Sequence, residues 1–432
     1  LCPRERVPFA ENGTARIPFT RARRGTKFFQ PAKQASSMMT LLSDSIADSI
    51  GKGSWIRRMF EAGIALKKEH GEDAVCDFSL GNPDLPPPPA VAAGMRKLAE
   101  TLDRPFSLGY MPNGGYPWAR AALAEYLSRE QGVPLAADDV ILTCGAAGGL
   151  NSLFKSILNP GDEVLGLAPY FVEYGAYVAN HNGSFRAVPT RPDSFSIDLG
   201  VLEAAITPKT RALIINSPNN PTGQVYSREE LVAVAALLAA KSRAAGRPIF
   251  LVADEPYRFL AYDGIEVPSL LSLYDFAVVA SSFSKNMSMP GERVGYLALS
   301  PRMPERNALM SGLIYCNRVL GFVNPPVVGQ HLMLAALGSQ VDAGIYQRRR
   351  DAMAELLSAA AYQFFTPTGA VYLSGNLPGG DDVAFADKLM RHLVLAVPGS
   401  GFGGPGYFRL AFCVDEAVIR RAADGLKKAL HG

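Results

Sequence analysis

A rhythm of short apolar runs, which begins near residue 139, constrains the fold more than any other feature of the sequence. Segments with helical periodicity, such as REELVAVAALLAAKSRAAG, separate the runs. Runs as uniformly apolar as these are typical of parallel strands that are buried on both faces of a sheet. They read VILTC, EVLGLA, ALIINS, IFLVAD, FAVVASS and VGYLALS. The sequence therefore predicts an α/β fold with three layers and a mostly parallel sheet.

The C-terminal third predicts a second, smaller α+β domain. A long amphipathic stretch begins near residue 325 and leads to two short strand-like runs, GAVYLSG and YFRLAFC. We expect residues 91–322 to form the large domain and residues 323–432 the small one. Residues 39–90 precede the sheet pattern, and we expect them to form an N-terminal arm and part of the small domain.

Residues 1–38 differ in composition from the rest of the chain. They carry eight Lys and Arg against two Asp and Glu, whereas the remaining residues carry 35 and 38, so this segment accounts for the net charge of +3. We interpret it as a disordered or non-native basic extension. A nucleic-acid-binding arm is the competing interpretation, but the segment lacks helical periodicity and interleaved aromatic residues. A transit peptide is a further alternative.

Composition excludes several classes of protein. With 48% hydrophobic and 19% charged residues, the chain resembles an ordinary globular protein. Its apolar run LVAVAALLAA has about half of the ~20 residues that span a bilayer, so no membrane association is expected. The five cysteines and five histidines are scattered without a CxxC pair, which predicts neither a disulfide framework nor a metal site. A reducing cytoplasm is the expected location, without a nucleic-acid partner.

The stretch SSFSKNMSMPGERVGY raises the question of why a lysine should follow a buried strand. The apolar run FAVVA leads into it, so Lys285 should lie where that strand ends. Burial there would lower the pKa of the ammonium group and free its amine. The alternative is an ordinary lysine on a surface loop. Arg293 follows eight residues later and can form a bidentate contact with an anion.

Polar residues also end the other predicted strands, where ligands bind in open α/β sheets. The turn at 145–147, Gly-Ala-Ala, follows VILTC, and its backbone N–H groups can bind an anion. Asp254 ends IFLVAD and needs a cationic partner if it is buried, and Tyr257 comes three residues later. Asn216 ends ALIIN, and Asn220 follows. Each of these residues alone could be a turn or capping residue.

Together, these residues meet the needs of one ligand, pyridoxal 5′-phosphate (PLP). PLP has an aldehyde that a lysine can capture, a ring nitrogen that pairs with a carboxylate, a phenolic oxygen and a phosphate. Lys285 would capture the aldehyde, Asp254 would pair with the ring nitrogen, and Asn220 with Tyr257 would bind the phenolic oxygen. The phosphate would be bound by the turn at 145–147, Ser282 and Arg293.

The sequence resembles the fold-type I, class I/II aminotransferases of the aspartate aminotransferase superfamily. The resemblance extends over nearly the whole chain beyond residue 40, with the motifs in family order. These motifs are SLGNPD, YMPNGGYPWAR, CGAAGGL, PYFVEY, NSPNNPTG, DEPY, SFSKNMSMPGERVGY and YFRLAF. It implies the PLP-dependent transferase fold, with PLP bound by the large domain, 91–322.

The resemblance also implies a role for each matching residue. Lys285, Asp254 and Tyr257 would be catalytic: Lys285 would hold PLP covalently and move a proton, Asp254 would pair with the ring nitrogen, and Tyr257 with Asn220 would bind the phenolic oxygen. The phosphate would be held by Gly145, Ala146, Ala147, Ser282 and Arg293. Because this turn lacks a hydroxyl group, its backbone amides, Ser282 and Arg293 should carry the binding.

Further residues are assigned by the same resemblance. Phe171 would stack on the cofactor ring, with Tyr170 as the less favoured alternative. Arg409 would bind the substrate α-carboxylate with help from Gly81 and Asn220. Tyr110 would reach the phosphate of a neighbouring subunit, which implies a homodimer.

The resulting hypothesis is a PLP-dependent transaminase that exchanges an amino group between an L-amino acid and a 2-oxo acid by a ping-pong mechanism. An aspartate-like donor is the first expectation, although a second cation such as Arg318 cannot be assigned to a substrate from sequence. A PLP-dependent lyase or decarboxylase is the alternative, because the cofactor residues do not decide which Cα bond breaks. A PLP-sensing regulator would need a DNA-binding domain, and residues 1–38 show no helix-turn-helix pattern.

One further motif points to a different cofactor. The stretch GFGGPG at 401–406 matches GxGxxG, but the strand-like YFRLAF follows it and Pro405 lies where a helix should begin. We interpret it as a loop that delivers Arg409, so a nicotinamide enzyme is not expected.

Overall fold

The described part of the chain consists of residues 41–52, 55–377 and 380–431 of a computed structural model, and the predicted extension 1–38 lies outside it. The chain divides into two units, Leu1–Lys52 and Gly53–Gly432. In the first unit, the described residues form one helix, α1 (Asp44–Lys52). The remaining elements belong to the second unit.

The strands are numbered along the chain. They are β1 (Cys76–Asp77), β2 (Val140–Cys144), β3 (Glu163–Ala168), β4 (Ser184–Pro189), β5 (Thr210–Asn216), β6 (Phe250–Asp254), β7 (Ala277–Ser282), β8 (Val294–Leu299), β9 (Gln363–Phe365), β10 (Tyr372–Asn376), β11 (Val394–Leu395), β12 (Val397–Pro398) and β13 (Tyr407–Ala411).

The helices that follow α1 are numbered in the same way. They are α2 (Trp55–His70), α3 (Pro89–Ala99), α4 (Pro117–Gln131), α5 (Gly145–Ile157), α6 (Tyr174–Ala179), α7 (Leu199–Ala205), α8 (Arg228–Ala245), α9 (Leu270–Leu273), α10 (Arg306–Val319), α11 (Val327–Ala336), α12 (Ala343–Ala359), α13 (Asp382–Arg391), α14 (Glu416–Arg421) and α15 (Ala423–His431). Short 3₁₀ turns occur at Glu72–Ala74, Ala137–Asp139, Pro290–Glu292 and Gly399–Phe402.

Seven strands form the main sheet, in the order β2-β8-β7-β6-β5-β3-β4. Four strand pairs are parallel: β4–β3, β3–β5, β5–β6 and β6–β7. Strand β8 is antiparallel to both of its neighbours, β7 and β2. The six apolar runs of the sequence correspond to β2, β3, β5, β6, β7 and β8. The predicted α/β class with a mostly parallel sheet is therefore confirmed.

Side chains that alternate along each strand enter two apolar layers. Leu213 and Ile215 of β5 pack in one cluster with α4, α8 and α11, whereas Ile214 packs on the opposite face with α5 and α10. Each such fully buried aliphatic side chain stabilises the fold by about 1.5–3 kcal/mol relative to exposure. The sheet is thus covered by helices on both faces, which explains why its central strands contain few polar residues.

A smaller antiparallel sheet, in the order β12-β13-β10-β9, lies in the C-terminal part of the chain. It has its own apolar cluster, which includes Phe408 and Leu410 of β13. The N-terminal strand β1 pairs in parallel with β11. The boundaries that the sequence suggests between the two domains stay predictions. Within the described ranges, no helix combines the length and apolar character needed to cross a membrane.

Three neighbouring strands of the main sheet end in polar residues at the same edge. Asn216 ends β5, Asp254 ends β6 and Ser282 ends β7. Asn216 and Asp254 are direct neighbours in the sheet register. Because the strands are parallel, their carboxyl ends bring these side chains to one place.

Candidate active site

A cavity of about 260 Å³ lies at this edge of the sheet. Nine of the residues to which the sequence analysis assigns a role line it: Ala146, Ala147, Phe171, Asn220, Asp254, Tyr257, Ser282, Lys285 and Arg293. The other lining residues are Leu150, Tyr177, Asn216, Pro256, Ser284, Pro290 and Tyr372. The chemical groups that the sequence spreads over 148 positions therefore meet in one space.

Lys285 lies three residues beyond the end of β7 and is half-buried. Its Nζ donates a hydrogen bond of 2.6 Å to the carbonyl oxygen of Gly81 and lies 5.7 Å from the ring centroid of Tyr257. Burial lowers the pKa of the Lys285 ammonium group to about 8, and the guanidinium groups of Arg409 and Arg293 act in the same direction. A substantial fraction of the amine is therefore neutral and nucleophilic near neutral pH.

Asp254 is a buried carboxylate whose hydrogen bonds fix its orientation. The Tyr174 hydroxyl donates to Oδ2, and the side-chain amide of Asn216 donates to the main-chain oxygen at 2.7 Å. Burial raises the pKa of Asp254 to about 6, while the hydrogen bond from Tyr174 acts to lower it. Among the described residues, no Lys, Arg or His forms an ion pair with Asp254. The carboxylate can therefore receive a cationic or N–H group of a ligand in the cavity.

Tyr257 and Tyr372 face each other across the cavity wall. Their hydroxyl oxygens are 2.7 Å apart, and their rings pack edge to face. Burial raises the pKa of Tyr257 well above its ordinary value, and Tyr372 adds to this effect. Burial also raises the pKa of Tyr372, to about 12, so both phenols remain protonated at neutral pH. One hydroxyl donates to the other, and the second is left to donate to a ligand.

Arg409 lies behind the lining residues rather than among them. Its Nη1 donates to Oδ1 of Asn220 at 3.1 Å, and its Nη2 donates to the carbonyl oxygen of Ser79. The guanidinium group lies between the rings of Tyr372 and Phe402, at 4.7 and 4.6 Å from their centroids. Its Nε is buried and has no hydrogen-bond partner among the described residues. Such a buried donor is costly unless a ligand accepts its hydrogen bond.

Gly145 and Arg293 form a corner beside the cavity at the start of α5. Gly145 has a φ of +70°, which favours glycine, and a Cβ at this position would lie 2.8 Å from Nη2 of Arg293 and displace it. Arg293 also has left-handed backbone, with a φ of 49°, and its Nη1 donates to the carbonyl oxygen of Pro290 at 2.9 Å. The first N–H groups of α5 and the Ser282 side chain share the cavity with this guanidinium group.

The structure does not bring every predicted residue to the cavity. Tyr110 is 93% exposed and does not line it. Of the two aromatic candidates for ring stacking, Phe171 lines the cavity and Tyr170 does not. Arg318 is exposed on α10 beside Tyr315. Gly81 contributes its main-chain carbonyl, which accepts the hydrogen bond from Lys285.

Sequence reasoning missed several functional groups of the cavity. Tyr174 lies within the motif PYFVEY, but its contact with Asp254 joins residues 80 positions apart and has no local signal. Tyr174 does not itself line the cavity, whereas Tyr372 and Ser284 do, and none of the three had been singled out. Within the described ranges, no group of three or more His, Cys, Asp and Glu side chains is arranged to hold a metal ion.

Comparisons with known proteins define the class of this fold and site. The family model for aminotransferase class I and II matches residues 73–426. The aspartate/prephenate aminotransferase of Thermus thermophilus is 33% identical over 375 residues, which cover 84% of this chain and 92% of that protein. The aspartate aminotransferase of Thermotoga maritima is 32% identical over 382 residues, covering 86% and 94%.

Solved structures give the same result. An aminotransferase from Eubacterium rectale superposes with a TM-score of 0.87 at 36% identity, covering 90% of this chain and 98% of that one. The aspartate aminotransferase from Thermus thermophilus with maleate has a TM-score of 0.80 at 30% identity, covering 91% and 100%. The chain therefore belongs to the class I and II aminotransferases, enzymes that use PLP to transfer amino groups. The resemblance inferred from the sequence motifs is confirmed.

Proposed function

We propose that this cavity is the active site and that its residues hold PLP and an α-amino acid as the sequence motifs suggest. The observation that carries the proposal is that the amine of Lys285, the buried carboxylate of Asp254 and the guanidinium group of Arg293 line a single cavity. An aldehyde, a ring nitrogen and a phosphate require these three kinds of partner. The glycine at 145, which leaves room for Arg293, further supports an anion at that corner.

Each side chain would contribute a defined interaction to binding. Arg293, Ser282 and the N–H groups of 145–147 would hold the phosphate, and Asp254 would accept a hydrogen bond from the ring nitrogen. Tyr257 and Asn220 would bind the phenolic oxygen, and Phe171 would cover one face of the ring. When bound, PLP supplies an aldehyde for the amine and a conjugated ring that takes up electrons from the substrate Cα.

Lys285 would then act as the proton carrier. Once the substrate amine has taken its place, the freed Nζ can remove the proton from Cα and deliver it elsewhere on the same face. The lowered pKa supports this role, because a general base works best with a pKa near the pH at which it acts.

Arg409 would bind the substrate α-carboxylate. Its unpartnered Nε and its contact with Asn220 support this role, since a carboxylate would satisfy the buried donor. The names of the relatives support an acidic amino acid, aspartate or one similar to it, as one of the two substrates of the ping-pong cycle.

We further propose that two copies of the chain assemble and exchange Tyr110. This residue is 93% exposed, and the nearby Phe106 and Leu108 are 90% and 54% exposed. An exposed group of large apolar side chains is typical of an interface. The proposed cytoplasmic location rests on the scattered cysteines of the sequence.

The decisive experiment combines one variant with one half-reaction. Adding aspartate to the PLP form should release one 2-oxo acid per site and leave the cofactor in its amine form.

Lys285→Ala should lose the visible absorbance of PLP bound to lysine, with an unchanged circular dichroism spectrum. Lys97→Ala, which alters an exposed lysine on α3, serves as the control. A borohydride-trappable adduct that persists in Lys285→Ala would refute the assignment, and continuous release of ammonia or carbon dioxide would indicate a lyase or decarboxylase.

A further inference from the structure

Glu173 is an acidic side chain beside the cavity that the functions assigned above do not use. It immediately precedes α6 but does not cap this helix with its side chain. Two residues before it, Phe171 lines the cavity, and four residues after it, Tyr177 does so as well. The next residue, Tyr174, donates its hydrogen bond to Asp254. Glu173 therefore belongs to a segment whose neighbouring residues line the cavity or contact Asp254.

One oxygen of the Glu173 carboxylate lacks a partner in the described part of the chain. This atom, Oε2, is buried without a hydrogen bond. Burial raises the pKa of Glu173, while a hydrogen bond from its own backbone N–H and the nearby charge of Arg409 lower it. Burial also raises the pKa of Tyr177, and the charge of Glu173 adds to this effect. Glu173 is thus electrostatically coupled to both a cavity-lining residue and Arg409.

Two unsatisfied groups of opposite charge are therefore neighbours of residues that line the cavity, although neither Arg409 nor Glu173 lines it. Nε of Arg409 is a buried donor without an acceptor, and Oε2 of Glu173 is a buried acceptor without a donor. A ligand with a carboxylate at one end and a hydrogen-bond donor at the other would satisfy both. A ligand with carboxylates at both ends would also satisfy Arg409 with the first carboxylate. Its second carboxylate, however, would approach a like charge at Glu173, which is unfavourable.

We propose that Glu173 determines substrate specificity by contacting the substrate side chain, and that it favours side chains that donate a hydrogen bond over ionised carboxylates. This inference rests on the proposed function, in which Arg409 binds the α-carboxylate. A ping-pong enzyme passes two different substrates through one site. An acidic amino acid can therefore still serve in one half-reaction, while Glu173 favours a donor-bearing substrate in the other.

Aspartate and asparagine provide a matched test, because they differ only in a carboxylate and an amide of nearly equal size. Single-turnover conversion of the cofactor gives kcat/KM for each amino acid in the wild type and in Glu173→Gln. Removing the charge should raise the ratio of aspartate to asparagine by about tenfold. Glu173→Ser provides a second variant with the same expected direction. Glu229→Gln, on the exposed side of α8, is the control and should leave the ratio unchanged.

Binding of unreactive analogues gives a measurement that does not depend on turnover. Calorimetric dissociation constants for maleate and its monoamide, maleamate, should change in the same direction, with maleate gaining affinity over maleamate in both variants. A ratio that stays within twofold of wild type in both assays would overturn the inference, even if the half-reactions proceed normally. If neither amino acid reacts with the wild type, the proposed function fails, while the analogue pair still tests Glu173.

Discussion

At the scale of single residues, burial controls the reactivity of the site. The pKa of Lys285 is lowered to about 8, well below the value of about 10.4 for a lysine in water. Below pH 8 the protonated form of the amine predominates, and this form cannot attack the aldehyde of PLP. We therefore expect the rate of PLP capture by the cofactor-free protein to rise about tenfold per pH unit below 8 and to level off above it. Stopped-flow absorbance measures this rate, and a rise that continues to pH 10 would contradict a lowered pKa.

Tyr174 gives a second prediction at this scale. Its hydrogen bond lowers the pKa of Asp254, which burial has raised to about 6. As the pH falls through this value, Asp254 takes up a proton and no longer attracts the ring nitrogen, so the affinity for PLP should fall. In Tyr174→Phe the pKa of Asp254 rises further, so the loss of affinity should begin at a higher pH.

Dissociation constants of PLP between pH 5 and 8, measured by titration, check this shift. Tyr170→Phe is the matched control, because Tyr170 packs against Phe185 and does not line the cavity. Superimposable pH profiles for Tyr174→Phe and wild type would show that the hydrogen bond does not influence Asp254.

The sequence was informative about residues that follow strands and uninformative about those that reach them from elsewhere. Lys285 and Asp254 could be singled out because an apolar run leads directly into each. Tyr174 and Tyr372 could not, because their hydrogen bonds join residues 80 and 115 positions apart. Glu173 is an unremarkable acidic residue in sequence, and only the fold shows that one of its oxygens is buried without a partner.

At the scale of secondary structure, the strands that are buried on both faces were predictable, and the exposed edge strand β4 was not. Six strands, including the other edge strand β2, are buried on both faces and are therefore apolar over most of their length. The seventh, β4, lies at the edge of the sheet, where most of its residues are exposed or half-exposed. Its sequence, SFRAVP, consequently lacks a continuous apolar run, and its place in the sheet depends on pairing with β3.

The junction of β2 and α5 gives a prediction at this scale. In Gly145→Ala, the new Cβ would lie 2.8 Å from Nη2 of Arg293, and the φ of +70° would be strained. The guanidinium group must then move, so we expect affinity for PLP to fall at least about tenfold, with a loss of about 1 kcal/mol in unfolding free energy. Titration with PLP and chemical denaturation of the cofactor-free protein measure the two effects.

A second glycine separates backbone strain from displacement of Arg293. Gly161 has a φ of +85°, and a Cβ there would have no atom within 4 Å. Gly161→Ala should therefore lower stability by a similar amount and leave the affinity for PLP unchanged. Equal affinity losses in the two variants would argue against a special role for the corner formed by Gly145 and Arg293.

At the scale of the whole molecule, two sheets with separate apolar clusters agree with the order of patterns along the chain. The seven-stranded sheet uses residues 140–299, and the four-stranded sheet uses residues 363–411. The pairing of β1 with β11 joins positions more than 300 residues apart. Such a contact cannot be read from local periodicity, because the two strands are far apart in the sequence and each has only two residues.

The proposed dimer leads to a prediction about mixed subunits. If Tyr110 reaches the phosphate of the other copy, Tyr110→Asp brings a carboxylate towards that phosphate and inactivates the neighbouring site, whereas Lys285→Ala inactivates its own. Each homodimer should be nearly inactive. In a heterodimer, one site carries both changes and the other carries neither, so random pairing should restore about a quarter of the sites.

Refolding equal amounts of the two variants together and measuring the aspartate half-reaction checks this value. A mixture of Lys97→Ala with Lys285→Ala is the control. Because Lys97→Ala leaves its own sites intact, about half of all sites in this mixture should be active, whether or not the subunits exchange residues. Mass spectrometry of the intact dimers must show that subunits have mixed. Mixed dimers without recovered activity would mean that Tyr110 acts within its own chain, whereas an active Tyr110→Asp homodimer would mean that it takes no part in the site. Recovery of about a quarter would establish that each active site needs residues from both copies, since neither variant alone retains an intact one.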